Sequence, residues 1–299
     1  MAFTDELRDP VSYAVPFFLL FIAIELVALR FLDNGEGPQR RGYERRDTWT
    51  NLVMGVGSMV VNLGARFAAL LLYAVLFVLT PMRLDPHHWS TWVGTILAVD
   101  LLWYSYHRSS HRIRILWAAH QAHHSSEYFN YSVALRQKWN PWGELIFWIP
   151  LPLLGVSPWM IFFCFSVNLI YQFWVHTETI PKLWQPIELV FNTPSHHRVH
   201  HAVNPGYLDR NYGGILIIWD RLFGSYAEEV EAPRYGVTKP VNTHNPLRLQ
   251  YGEFAAAFRD VHYAENWHDR LGYLFAPPGW RPSPPTGKPA GLAKGEATG

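Results

Sequence analysis

The stretch His107-Arg-Ser-Ser-His111, followed by His120-Gln-Ala-His123-His124, decides how the rest of the chain is interpreted. A third group, His197-Arg-Val-His200-His201, repeats the second spacing further along the sequence. On a helix, positions three and four apart share a face and are separated by a rise of only ~5–6 Å. Each group therefore aims several imidazole rings at one point, which is the arrangement of a metal site.

The number of histidines indicates two metal ions rather than one. Neutral imidazole suits iron, zinc, copper and nickel, and the eight ligands of the three motifs exceed the coordination number of a single ion. A single histidine is more often a polar residue on a helix face, but three groups of matching spacing favour metal binding. We interpret His87 and His88, which have no such spacing, as interfacial residues rather than ligands.

The composition favours an integral membrane protein. Of 299 residues, 16% are charged and 16% are aromatic, with 14 Trp, and the apolar residues are clustered. The net charge of +1 comes with no continuous basic stripe, so nothing indicates nucleic-acid binding. The single Cys164 excludes an intrachain disulfide and cysteine-based zinc or iron–sulfur sites.

Three apolar stretches predict full membrane spans, at Val11 to Leu32, Leu52 to Leu79 and Trp89 to Tyr106. The first lacks the basic region and cleavage site of a signal peptide, so we expect it to be retained as an anchor. Arg66 interrupts the second, and it must either face a partner or a cavity or extend toward the membrane surface. The loop between the first two spans is rich in Arg, which predicts that it is cytoplasmic.

A re-entrant hairpin is predicted between residues 143 and 176. Pro150 ends or kinks its first helix, of about residues 143–154, and Ser157-Pro158 starts its second, of about 158–175. The first helix is too short to span the membrane alone, so we expect the chain to enter the membrane and return to the same side. This places His176 on the side of His107, and we add His176 to the predicted ligands.

The fold class that follows is all-α and membrane-bound, with about three full spans, the re-entrant hairpin and a cytosolic helical cap that holds a di-metal histidine cluster. Residues 1–106 form the transmembrane helices and 107–235 the histidine-cluster catalytic domain, including the hairpin at 143–176. Residues 236–276 form a cytosolic C-terminal segment. The tail at 277–299, rich in Pro, Gly, Ala and Lys, is predicted to be disordered.

Four further polar residues are candidates for holding the ligand rings in place. Asp100 lies two helical turns before His107, so it can bond a ligand histidine, line a channel or make a helix-packing contact. Asn211 and Asp220 can accept ring N–H groups or act as structural caps. His196 stands directly before the third motif.

If the reaction is oxygen chemistry, a site of imidazoles at the membrane face selects a redox-capable metal pair. Two irons can use O₂ to oxidise an unactivated C–H bond, while the protein supplies position, a dry pocket and an electron route. Substrates that reach such a site from the membrane plane are lipids. The aromatic residues of the third span and of the second helix of the hairpin can line an apolar channel to the metals.

The three motifs resemble those of the fatty acid hydroxylase and sterol desaturase superfamily of membrane di-iron enzymes. The stretches 116–130, 192–201, Asn211-Tyr-Gly-Gly and Trp219-Asp220-Arg are most similar to the alkylglycerol monooxygenase family. The resemblance implies hydroxylation next to the ether oxygen of a glyceryl ether lipid, with tetrahydrobiopterin as electron donor. The chain departs from the family pattern at Arg112, where an acidic residue is expected. The resemblance implies these iron ligands: His107, His111, His120, His123, His124, His197, His200 and His201, with His176 as a ninth.

Other functions remain open from the sequence. A sterol or fatty-acyl desaturase uses the same kind of di-iron site, and the sequence does not separate the two outcomes. A metal-transport or metal-storage membrane protein would also be rich in histidine, although transporters place ligands near the bilayer midplane on broken helices. A zinc protease is disfavoured because no His-Glu-x-x-His motif occurs.

Overall fold

The computed structural model describes residues 10–31 and 42–282. Within these ranges the chain is built of helices and connecting loops and contains no β-strand. Two isolated β-bridges, Phe191 with Leu216 and Ala202 with Tyr235, are the only strand-like pairings described there. The all-α prediction is confirmed for the described part of the chain.

Three long helices come first: α1 Pro10–Phe31, α2 Arg45–Leu79 and α3 Trp89–Arg112. Helices α1 and α2 are long and apolar enough to cross a membrane, and they contain the first two predicted spans except Leu32, which lies outside the described residues. Many of their apolar side chains are exposed, as lipid-facing residues would be. Polar residues interrupt α3, so the third full span, like membrane insertion itself, stays a prediction.

Helix α2 begins two turns earlier than its apolar stretch. The Glu44 carboxylate accepts a hydrogen bond from the Asp47 backbone N–H at 2.7 Å and so caps the new N-terminus. The added turns carry Asp47 and Asn51, which are buried and bond Arg136 in the segment after the second histidine motif. The polar start of α2 therefore ties this helix to the histidine-bearing segments.

The hairpin differs from the prediction in its first arm. Helix α4, Arg114–His124, and a 3₁₀ helix, Tyr131–Leu135, precede it. The arm itself is three short pieces, α5 Trp142–Leu145, a 3₁₀ turn Ile146–Trp148 and α6 Pro150–Leu153, because two prolines remove backbone donors. The second arm is α7 Pro158–Trp174, close to its predicted bounds.

The tip of the hairpin lies at the end of α2 and α3 that is remote from the histidines. Gly155 turns the chain there in the left-handed region, at φ +84°, and its carbonyl accepts a hydrogen bond from the Leu84 N–H at 2.9 Å. Helix α7 then returns along α3 to the histidine end. Buried aromatic side chains such as Tyr73, Trp103 and Trp148 fill the space between these helices.

The remaining helices cover the histidine end: α8 Gln185–Val190, α9 Pro194–His201, α10 Ile218–Leu222, α11 Pro246–Tyr263 and α12 Trp267–Phe275. Helix α11 packs on α4, where the Arg114 guanidinium bonds Glu253 at 2.8 Å and Asp260 at 2.7 Å.

The tail was predicted to be disordered from residue 277, but its first residues are ordered. Trp280 packs on Tyr273 with ring centroids 5.5 Å apart, and Arg281 lies 3.2 Å from Asp260, so the chain stays folded against α12 through residue 282. The rest of the predicted disordered tail, 283–299, lies outside the described residues.

Candidate metal centre

Two helices joined by one residue bring the first two motifs together. His107 and His111 are one turn apart at the C-terminal end of α3. Ile113 has an extended backbone (φ −124°, ψ 117°), so α3 ends there and α4 starts in a new direction. The His107 and His120 Nε2 atoms consequently lie 3.0 Å apart.

Helix α9 and the end of α7 complete the cluster. Pro194 opens α9 with its fixed backbone, and the eight-residue helix carries the whole third motif. His176 follows α7 directly, and its Nε2 lies 2.9 Å from that of His197 and 3.3 Å from that of His123. The hairpin thus returns His176 to the end of the bundle where His107 lies.

All nine histidines predicted as ligands are brought together, in two groups of buried residues. Within each group the ligand atoms lie within 4.8 Å of one another. We call these the five-histidine group and the four-histidine group. The members of the first are His107, His111, His120, His124 and His200, and those of the second are His123, His176, His197 and His201.

Backbone carbonyls fix the orientation of four of these rings. The Nδ1 atoms of His107, His176, His200 and His123 lie 2.8, 2.7, 2.9 and 3.3 Å from the carbonyl oxygens of Tyr212, Gln172, Arg210 and Arg136. A neutral imidazole has one N–H, and these Nδ1 atoms donate it to the carbonyls. Each Nε2 therefore presents a bare lone pair toward the centre of its group.

Several inward-facing nitrogens lack a proton donor. His123 and His176 present two lone pairs to each other across 3.3 Å, which is repulsive unless a cation lies between them. The buried Nε2 atoms of His111 and His200 have no hydrogen-bond partner. Buried polar atoms are normally satisfied, so these orphaned nitrogens fit a metal site.

Burial also keeps these rings in the form that binds metal. It lowers the pKa of His200 to about 4, although the bond to the Arg210 carbonyl opposes the shift. Burial likewise lowers the pKa of His120 and His124 well below the ordinary histidine value. The rings are therefore neutral at pH 7, as metal ligation requires.

The donor set selects the kind of ion. Within the described residues neither group contains a cysteine or a carboxylate. Neutral imidazole donors disfavour calcium and magnesium and suit iron, zinc, copper or nickel. Five and four ligands match two ions of ordinary coordination number.

Asp220 and Asp100 act on a loop rather than on a histidine ring. Asp220 accepts hydrogen bonds from the Tyr212 and Gly213 N–H groups at 2.8 and 2.7 Å, and this loop presents the Tyr212 carbonyl to His107. Asp100 accepts from the Ile215 N–H at 2.7 Å and from the Trp219 indole N–H at 2.8 Å. The bonds described for both carboxylates support the ligand rings through the backbone, not by accepting a ring N–H.

Asn211 and His196 likewise make structural contacts. The Asn211 amide donates to the His196 and Ala227 carbonyls at 3.1 and 2.8 Å. The His196 Nδ1 accepts from the Thr193 N–H at the start of α9, and its Nε2 lies 3.0 Å from Glu188. His196 therefore lies outside both groups, because its helical position turns its ring away from those of His197 and His200.

One supporting residue, Arg136, was missed in the sequence. Its carbonyl faces the His123 ring, while its guanidinium bonds the Ala122 carbonyl at 2.8 Å and Asp47 at 3.0 Å. This buried arginine joins the end of α4 to the start of α2. No short motif marks it, since its partners are 14 and 89 residues away.

A large cavity reaches the histidines from between the long helices. Its volume is about 1320 Å³, and apolar side chains of α1, α2, α3 and α7 form most of its wall. His107, His120, His123, His176 and His197 also line it. Arg66 and His87 also line this cavity, and Arg66 lies 5.9 Å from the Phe165 ring. His87 and His88 lie outside both histidine groups.

Comparisons with known proteins agree with this site. Residues 92–225 match the family model "Fatty acid hydroxylase". The alkylglycerol monooxygenase of Homo sapiens is 38% identical over 288 residues, which are 94% of this chain and 62% of the relative. That of Danio rerio is also 38% identical, over 95% of this chain and 63% of its own length.

A more distant relative is the ornithine lipid hydroxylase OlsE of Rhizobium tropici, 29% identical over 41% of this chain and 38% of its own length. No solved structure matches the chain. The chain spans less than two thirds of the length of the alkylglycerol monooxygenases named here. The match over residues 92–225 confirms the resemblance seen in the histidine motifs.

Proposed function

We propose that this chain, whose residues 92–225 belong to the fatty acid hydroxylase family, is a membrane-bound di-iron oxygenase that hydroxylates a C–H bond of a lipid. The observation that carries the proposal is the convergence of bare, buried imidazole nitrogens at a largely apolar cavity of about 1320 Å³. The predicted metal ligands therefore line a cavity that is large enough for a lipid.

The five-histidine group would hold one iron and the four-histidine group the other. The irons would supply oxygen activation, by which one atom of O₂ enters the C–H bond and the other leaves as water, with two electrons and two protons from an external donor. That donor is a reduced pterin such as tetrahydrobiopterin or an electron-donor protein. The chain itself keeps the rings neutral, aims them through the backbone carbonyls and excludes bulk water.

The lipid enters from the bilayer between α1, α2 and α7. Apolar residues such as Phe18, Leu63 and Phe162 line its path, while Trp103 and the histidines lie at its inner end. Pockets that bury most of an apolar ligand have volumes of roughly 300–1,000 Å³. The cavity is therefore large enough for a long-chain lipid with its polar end.

An ether lipid is the substrate class that the relatives' name supports. Hydroxylation of the carbon next to an ether oxygen gives a hemiacetal, which collapses to an aldehyde and a free alcohol. We also propose that the histidines face the cytoplasm. Arg45 and Arg46 begin α2 at the histidine end of the bundle, and positively charged ends of membrane helices are typically cytoplasmic.

The test is a reaction in ¹⁸O₂ with the full chain in lipid nanodiscs, loaded with iron and supplied with tetrahydrobiopterin and 1-O-hexadecylglycerol. Immediate borohydride reduction traps the aldehyde before its oxygen exchanges with water. Hexadecanol carrying ¹⁸O supports the proposal. A carbon–carbon double bond without label would favour a desaturase, whereas iron-loaded protein that consumes no O₂ with either donor class would favour metal transport or storage.

A further inference from the structure

We infer that Asn62 and Lys138 form a polar subsite in the cavity wall that binds a hydroxyl group at the polar end of the lipid. The inference rests on the proposed function and names the part of the substrate that the wall recognises. Both residues line a small pocket of about 50 Å³, and both also line the main cavity.

The pocket combines polar groups with an apolar lining. Asn62, Arg66, Gln137, Lys138 and Glu144 supply its polar atoms, and residues such as Trp148 and Phe165 supply most of the rest. One water takes ~30 Å³ of liquid volume. The pocket therefore suits a group of a few atoms, such as a hydroxymethyl, rather than a hydrocarbon chain.

Asn62 carries the atom that points to a ligand. Its Oδ1 is buried and has no hydrogen-bond partner. An unsatisfied buried acceptor is unfavourable and rare in native proteins, so a donor is expected to occupy this site in the working protein. A hydroxyl group donates and accepts, so it satisfies the Asn62 amide in either orientation of its oxygen and nitrogen.

Lys138 supplies a donor beside it. Its ammonium forms a buried ion pair with Glu144 and a side-chain hydrogen bond with Tyr106. An ammonium has three N–H groups, so these two partners leave one for a ligand. Because Glu144 balances the charge of Lys138, this pair does not require an anionic ligand, and a carboxylate would offer no proton to Asn62.

The subsite lies close to the metal centre. The Lys138 ammonium is 5.8 Å from the Trp103 ring, and Trp103 and Tyr106 lie in the helical turn directly before His107. A lipid whose polar end is held here has its first chain carbons near the histidines. The oxidised carbon is accordingly near the polar end, and the rest of the chain extends toward the lipid-facing mouth.

Binding of two lipids that differ in hydroxyl groups tests the subsite. The probes are 1-O-hexadecylglycerol and hexadecyl methyl ether, titrated against the full chain in nanodiscs with the fluorescence of the cavity tryptophans as readout. We expect the glycerol ether to bind about tenfold more tightly, equivalent to ~1.4 kcal/mol. Asn62→Leu should abolish that preference while the methyl ether binds as before. Val61→Ala, at the neighbouring position outside the cavity lining, should retain it.

An equal affinity of the wild-type protein for both lipids would overturn the inference, as would a preference that survives in Asn62→Leu. Tighter binding of hexadecanoate, unaffected by Asn62→Leu, would instead assign the pocket to carboxylates. Since Asn62→Leu removes an unsatisfied buried atom, the variant is expected to fold. Binding is measured without turnover, so failure of the proposed oxygenation leaves this test intact.

Discussion

At the scale of single residues, spacing predicted which side chains converge but not how they are held. The i, i+3 and i, i+4 positions of the motifs placed eight rings, and the topology of the hairpin added His176. His196 could not be separated from its neighbours by sequence, because its role depends on Glu188, which reaches it only when α8 folds against α9. The carbonyl of Tyr212 behind His107 comes from 105 residues away and has no sequence signal.

Removing one ligand should remove one metal. We expect His200→Ala to lower the iron content of the purified protein by about one ion per chain and to abolish lipid oxidation, because His200 belongs to the five-histidine group. Elemental analysis of iron and protein measures this. His88→Ala is the control, since His88 lies outside both groups; iron loss in that variant would refute the assignment.

Asp220 should tune metal affinity without binding metal. Asp220→Asn keeps one acceptor but weakens the bonds to the Tyr212 and Gly213 N–H groups, so the carbonyl behind His107 is held less well. Changes of this kind cost roughly 10–100-fold in metal affinity. Competition with a graded series of chelators measures the loss. Wild-type affinity in this variant would show that the loop does not orient the ring.

At the scale of elements, apolar length predicted α1, α2 and α7 well, because burial and lipid exposure both demand long apolar helices. The broken arm at 142–153 was only partly predicted. The prolines predicted that the first helix of the hairpin would end early, but not that a 3₁₀ turn would follow it. The polar extension of α2 was missed because its reason, the Arg136 network, is a contact between distant segments.

The contact between α2 and α4 should carry a large share of local stability. Arg136→Met leaves Asp47 buried without its charged partner, and breaking a buried pair in this way costs roughly 3–5 kcal/mol. Thermal unfolding of the protein in nanodiscs should show a clear decrease in Tm. The double variant Asp47→Leu with Arg136→Met should recover part of the loss, because no lone buried charge remains. A single variant as stable as wild type would contradict the role of this pair.

At the scale of the whole molecule, the sequence indicated an all-α protein with long apolar helices and a histidine centre, and the described part of the chain has that architecture. The cavity could be anticipated only as an aromatic-lined channel. Its volume and its polar pocket depend on how α1, α2, α3 and α7 pack against the loop after α4, and no local pattern encodes that packing.

Narrowing the cavity should impair catalysis without affecting the metals. Gly55 lines the cavity, and a Cβ there would lie 3.1–3.2 Å from Leu135. We expect Gly55→Leu to lower kcat/KM for lipid on the order of tenfold to a hundredfold, because the substrate is displaced, while iron content stays at the wild-type level. Gly64→Leu on the same helix is the matched control, since a Cβ there meets nothing within 4 Å. Equal activity of both variants would contradict the proposed lipid path.

The most direct test of the central claim is Mössbauer spectroscopy, with metal analysis, on the full chain loaded anaerobically with ⁵⁷Fe. Two histidine groups in one buried centre predict two irons per chain, each in a nitrogen-rich environment, and spin coupling between them after exposure to oxygen. One iron per chain, or two uncoupled irons that a weak chelator removes, would contradict a di-iron centre built by these nine histidines.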